Sequence, residues 1–166
     1  MSVAFVREES AEIAAEVELP ARPISPHPNL VTASGLAMLG RAVAEARAAY
    51  GSARQIEDVN ERRRVGALAL RDLSYLSERL GSAQVVPPPV APDVVAFGSC
   101  VSFKRGDGRQ QAFSIVGEDE ADPRKGSISY VSPLARALLG KTVGDVVAIG
   151  DLEVEVLAIT RTGRDG

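Results

Sequence analysis

Residues Thr32 to Tyr50 read TASGLAMLGRAVAEARAAY. Leu36, Leu39, Val43, Ala46 and Tyr50 step by 3, 4, 3 and 4, which puts one apolar stripe along a helix and matches a coiled-coil seam. Thr32 or Ser34 is placed to cap this helix, because a side-chain oxygen there accepts one of the free amide protons of the first turn. A second stripe follows. Ala69, Leu73, Leu76, Leu80 and Ala83 step by 4, 3, 4 and 3. Between the stripes, Gly51, Ser52, Arg54, Gln55, Glu57, Asp58, Asn60 and Glu61 break the apolar pattern. Two seams around a polar break predict an antiparallel helical hairpin over residues 32–86, with its turn within 51–61.

Prolines frame this hairpin. Pro20, Pro23, Pro26 and Pro28 precede it, and Pro87, Pro88, Pro89 and Pro92 follow it. Proline fixes φ and lacks an amide proton, so neither cluster suits a helix interior or a central strand. Residues 1–31 hold five acids and two bases, a net charge of −3. They are expected to form an acidic, proline-rich, flexible tail.

Residues 93–161 have the composition of a small α+β unit. Val94–Phe97, Cys100–Lys104, Gln111–Val116 and Ser127–Val131 are strand-like. Gly106-Asp107-Gly108 marks a hairpin turn. Ser132-Pro133 opens a short helix, with serine as cap and proline at the first helical position. Gly140 is placed to end it. Val146–Ile149 and Leu152–Ile159 form a last hairpin across Gly150-Asp151. The expected architecture is an antiparallel sheet packed on one short helix.

The whole chain has 166 residues, one Cys, one His, no Trp and a net charge of −3. Cys100 and His27 are too few for a four-ligand zinc site or an internal disulfide. The same scarcity argues against Cys–His and Ser–His–Asp catalysis. Cys100 alternates with Val101 and Phe103 and is read as a structural thiol; His27, between two prolines, is read as a solvated or tail-anchoring side chain. No stretch reaches the ~18 apolar residues of a membrane span. The N-terminus places Arg7, Glu8 and Glu9 where a signal peptide needs apolar residues. A cytoplasmic location, no membrane partner and a monomer are expected.

Three longer runs carry a family resemblance. They are Ile115-Val-Gly-Glu-Asp-Glu-Ala-Asp-Pro123, Ser132-Pro-Leu-Ala-Arg-Ala-Leu-Leu-Gly-Lys141 and Val143-Gly-Asp-Val146. Leu30-Val-Thr32 with Gly35, and Ser82-Ala-Gln-Val-Val86, flank the hairpin in the same manner. From Leu30 to Ile159 the chain resembles the GreA/GreB transcription elongation factors. The resemblance implies an N-terminal antiparallel coiled coil followed by an FKBP-like globular domain. It further implies a partner, bacterial RNA polymerase, with the globular domain on the rim of the secondary channel and the coiled coil directed down it.

Two carboxylates at the family's tip help the polymerase hold a Mg²⁺ ion and a water while it hydrolyses backtracked RNA. The chain itself would be no enzyme and would carry no cofactor of its own. The matching acids are Asp58 and Glu61, at the family's spacing of two intervening residues; Glu57 is a substitute. On a helix, residues i and i+3 share a face, with Cβ atoms ~5–6 Å apart, and Mg²⁺ takes one or two carboxylates while keeping several waters. Around this pair the chain departs from the family. Arg62, Arg63 and Arg64 follow at once, and each arm is shorter by roughly one heptad, about 10 Å of helix.

The three arginines read as a helix face pairing with nearby acids, or as an attraction to the nascent RNA 3′ end. Val131, Ser132, Pro133 and Arg136 match the polymerase-contacting surface, although Val131 stands where the family often has Asp or Asn. The acidic loop Glu118 to Pro123 is read as a solvated surface loop. One alternative is a channel-binding regulator without cleavage. A remote one is a peptidyl-prolyl isomerase, against which the few aromatic residues argue.

Overall fold

The computed structural model describes residues 19–162. Its elements, in chain order, are β1 (Leu30–Val31), α1 (Ala33–Ala53), α2 (Val59–Ser82), β2 (Gln84–Val85), β3 (Ser99–Arg105), β4 (Gln110–Val116), β5 (Ser127–Ser129), α3 (Pro133–Leu138), β6 (Val146–Ile149) and β7 (Leu152–Arg161). They fall into two units. Among the described residues, one contains the helices from Leu39 to Ser82 together with residues 19–26; the other joins His27–Met38 to residues 83–162.

In the hairpin unit, α1 and α2 have 21 and 24 residues. The α1 seam is the expected one: Leu39, Val43 and Ala46 are buried, and the same stepping continues to Ala53, also buried. The last turn of α1 tightens, with the Gln55 and Ile56 amides donating to the Ser52 and Ala53 carbonyls, which satisfies carbonyls that a helix end leaves open. On α2 the seam differs in part. Ala69 is buried, Leu73, Leu76 and Leu80 are half-buried, and Arg79 is only 2% exposed. Its charged head is buried along with its stem, a position that a stepping rule reserves for leucine and that a cation tolerates only when it is paired or hydrogen-bonded.

The expected tail requires correction. Residues 1–18 lie outside the described residues, but residues 19–31 have defined places. In the hairpin unit, Arg22 pairs with Asp72 at 3.0 Å and stacks its guanidinium 3.8 Å from the centre of the Tyr75 ring. In the sheet unit, Leu30 and Val31 pair in parallel with Gln84 and Val85. Proline-rich sequence resists helix and central strand; it does not resist packing through single anchors.

The sheet order is β5-β4-β3-β7-β6. Three of the four pairings are antiparallel, as expected, but β5 runs parallel to β4. The sheet is therefore mixed. The connection through residues 117–126 passes a short helical turn at Pro123–Lys125, so β5 returns in the direction of β4. Val94–Phe97 is not a strand. Val95 instead exchanges bonds with the turn after α3, its amide donating to the Lys141 carbonyl and its carbonyl accepting from Gly140, both at 2.8 Å. The core gathers Val101, Phe103, Ile115, Val154 and Val156 from the sheet with Ala135 and Leu138 from α3, all at 0–1% exposure. Cys100 is a half-buried free thiol, as its alternation implies, and His27 is half-buried. The acidic loop is not simply solvated: Glu118 to Asp122 are half-buried. Among the described residues no helix is long and apolar enough to cross a membrane.

Candidate functional site

The turn between α1 and α2 exposes Glu57, Asp58 and Glu61. Asp58 is the cap of α2. Its Oδ1 accepts the Glu61 amide at 2.7 Å, and its carbonyl accepts the Arg62 amide at 2.9 Å. An acid capping a helix three residues before a glutamate is half of a capping box. The other half is missing, because Glu61 turns to Arg64 instead. Arg64 Nε and Nη2 donate to the two Glu61 oxygens at 3.1 and 2.8 Å. This fork is the main reason the Glu61 carboxyl is held below its usual range; the Asp58 charge acts weakly in the opposite sense. The two carboxylates therefore lie close enough to influence each other.

Arg62 closes the turn by donating to the Ile56 carbonyl at 2.8 Å. Of the three successive arginines only Arg64 pairs with an acid, as the pairing reading of that run expects; Arg62 bonds to backbone instead, and Arg63 is exposed. The family spacing of Asp58 and Glu61 did not reveal these local tasks. The signal was present, since Asp-x-x-Glu ahead of a periodic run is also a helix-start signature.

A Mg²⁺ ion held by this chain alone would need more donors. Among the described residues no group of three or more His, Cys, Asp or Glu side chains could hold a metal. Two exposed carboxylates do fit a shared ion whose other ligands come from a partner. The cap uses one Asp58 oxygen. The Glu61–Arg64 pair is solvent-exposed, with side-chain exposures of 47% and 62%, and exposed pairs of this kind are easily exchanged.

The second set of expected residues lies in the sheet unit. Ser132 caps α3, its Oγ accepting the Ala135 amide at 3.3 Å. The Val131 amide donates to Ser129 Oγ at 3.2 Å. Ala135 and Leu138 face the core, which leaves Pro133 and Arg136, three apart, exposed on the opposite side. Val131 is half-buried. The structure thus brings Val131, Ser132, Pro133 and Arg136 together on one corner. After α3, the Asp145 carboxylate takes the Thr142 amide and hydroxyl at 2.8 and 3.1 Å; those bonds hold its carboxyl below the usual range.

The corner and the sheet behind it coincide with a recognised family. The model of the C-terminal domain of the GreA/GreB transcription elongation factors matches residues 90–161. The GreA of Alkalilimnicola ehrlichii is 34% identical over 126 residues, covering 72% of this chain and 79% of that protein. The chain belongs to the GreA/GreB transcription elongation factor family. The GreB of Neisseria meningitidis (serogroup A) is 43% identical over 95 residues, which are 54% of this chain and 58% of the relative. The chain thus spans little more than half the length of that GreB. Among solved structures, GreA factor homolog 1 of Thermus thermophilus covers 81% of this chain and 99% of its own, at 22% identity and a TM-score of 0.38.

Proposed function

We propose that this chain binds bacterial RNA polymerase through the Val131–Arg136 corner of its sheet unit and offers its hairpin tip to the polymerase active site through the secondary channel. The observation that carries the reading is a Gre-type C-terminal unit on the same chain as a hairpin whose turn exposes Asp58 and Glu61. Pro133 and Arg136 supply a rigid apolar contact and a cation to the partner. Asp58 and Glu61 supply two carboxylates to a Mg²⁺ ion shared with the polymerase. Such an ion, when bound, lowers the pKa of a coordinated water and stabilises developing charge. To reach it, Glu61 releases Arg64 while Asp58 retains its cap through one oxygen. The factor stimulates hydrolysis of backtracked RNA by the polymerase and is not itself the enzyme.

A second reading is favoured by one observation. Both Glu61 oxygens are held by Arg64, and helices of 21 and 24 residues span only about 32 and 36 Å. A finger that stops short would occupy the channel without promoting cleavage. RNA cleavage in stalled, backtracked complexes separates the two readings. Asp58→Asn and Glu61→Gln are each expected to slow factor-dependent cleavage by about tenfold to a hundredfold, the scale for lost charge stabilisation at a reacting centre. Equal rates for wild type and both variants remove the tip mechanism and leave channel occupation.

A further inference from the structure

The run Arg62-Arg63-Arg64 puts cations near the start of α2, where the open amides of a helix favour negative charge. Arg64 answers to Glu61. Arg62 answers to the other helix. It is half-buried, and its Nη1 donates backward to the Ile56 carbonyl at 2.8 Å, with the Glu57 carbonyl 3.4 Å away. Both carbonyls lie in the turn just past the end of α1. A helix leaves its last carbonyls open and favours a cation near them. The Arg62 guanidinium therefore serves the end of one helix from the start of the next, and all of these contacts lie within the hairpin unit.

The backbone bonds of the turn fall on either side of Glu57. On the α1 side, the Gln55 and Ile56 amides donate to the Ser52 and Ala53 carbonyls. On the α2 side, Asp58 Oδ1 accepts the Glu61 amide and the Asp58 carbonyl accepts the Arg62 amide. Neither set reaches across Glu57. The Arg62 side chain does, and it closes residues 56–62 into a ring that contains Asp58 and Glu61. The donor is charged, and charge-assisted hydrogen bonds are stronger than neutral ones.

We propose that Arg62 is a positioning residue for the tip: by tying Ile56 to the first turn of α2, it holds Asp58 in its cap and keeps the Asp58 and Glu61 carboxylates within reach of each other. Its consequence for RNA cleavage rests on the tip reading above. The order it imposes on the turn is a property of the free chain. Misplacement of about 1 Å at a reacting centre costs up to about a hundredfold in rate, so a tip that presents two carboxylates to a shared ion depends on such a tie.

Hydrogen exchange of the full chain reads the turn directly. In Arg62→Ala the Glu61 amide, which is bonded to Asp58, is expected to exchange about tenfold faster, the lower end for loss of a hydrogen bond to a charged group. Alanine favours a helix at least as well as arginine does, so faster exchange there is not weakness of α2, and the Ala69 amide is expected to keep its protection. Arg62→Lys keeps a cationic donor and is expected to recover most of the loss. Arg63→Ala, at an exposed neighbour, is expected to match wild type. Equal Glu61 exchange in Arg62→Ala and wild type overturns the proposal. In backtracked complexes, Arg62→Ala is expected to keep wild-type affinity for polymerase while the maximal cleavage rate at saturating factor falls about tenfold. An unchanged maximal rate with weaker binding overturns the positioning role. A wild-type chain that stimulates no cleavage removes the tip reading, and the exchange result still decides whether Arg62 holds the turn.

Discussion

Phe103→Ala is expected to lower the stability of the sheet unit by about 3–5 kcal/mol. Phe103 is on β3, the middle strand of the five, and is fully buried. Its ring stacks on Phe113 at a centroid distance of 6.0 Å and an interplanar angle of 24°. Val101, Ile115, Val154, Val156 and Leu138 belong to the same core. Strand side chains here are tied by ladders on both sides of β3, so the surroundings collapse little into the space left by the ring. That is the condition under which the cavity adds most to the transfer cost. Small domains are stable by only about 5–15 kcal/mol, and the variant would stand near the edge of folding. Urea unfolding followed by far-ultraviolet circular dichroism reads the loss as a lower midpoint. Val146→Ala, at an exposed position, is expected to change stability by less than about 0.5 kcal/mol. Equal midpoints for Phe103→Ala and wild type would mean that the ring is not in the core.

The second large effect is expected at Gly117. The backbone at this glycine passes directly against the Leu30 carbonyl oxygen, so an added Cβ meets main chain and not a movable side chain. Gly117→Ala must push β1 away or distort the loop, an overpacking cost of about 1–3 kcal/mol. The strain falls on a small structure. β1 and β2 are two residues each, held by the Gln84 amide on the Asn29 carbonyl and the Val86 amide on the Val31 carbonyl. Hydrogen exchange reads this directly. The Gln84 and Val86 amides are expected to lose protection in Gly117→Ala, while amides of β3 and β7 keep theirs. Unchanged protection at Gln84 and Val86 would show that β1 does not lean on Gly117.

The hairpin was legible because a seam has a period. Leu39, Val43 and Ala46 announce their shared face by spacing alone, and Ser132-Pro133 announces a helix start by chemistry alone. Contacts between residues far apart in the chain carry no such spacing. Thr32 and Glu120 are separated by 88 residues, and Arg22 and Asp72 by 50, so a proline-rich arm read as a tail and a half-buried acidic loop read as solvated. The direction of β5 was hidden for a related reason: alternation gives a strand its faces but not its polarity. At the tip, Asp58 and Glu61 were singled out by their match to the tip spacing of the family that the chain resembles. Their employment in the turn was not, because a spacing that suits a metal also suits a helix cap.

Binding of the full chain to purified bacterial core RNA polymerase at low salt tests the central claim most directly. Saturable binding is predicted for wild type, weakened about tenfold by Arg136→Glu, a loss of about 1.4 kcal/mol. No binding by wild type at low salt would contradict the account.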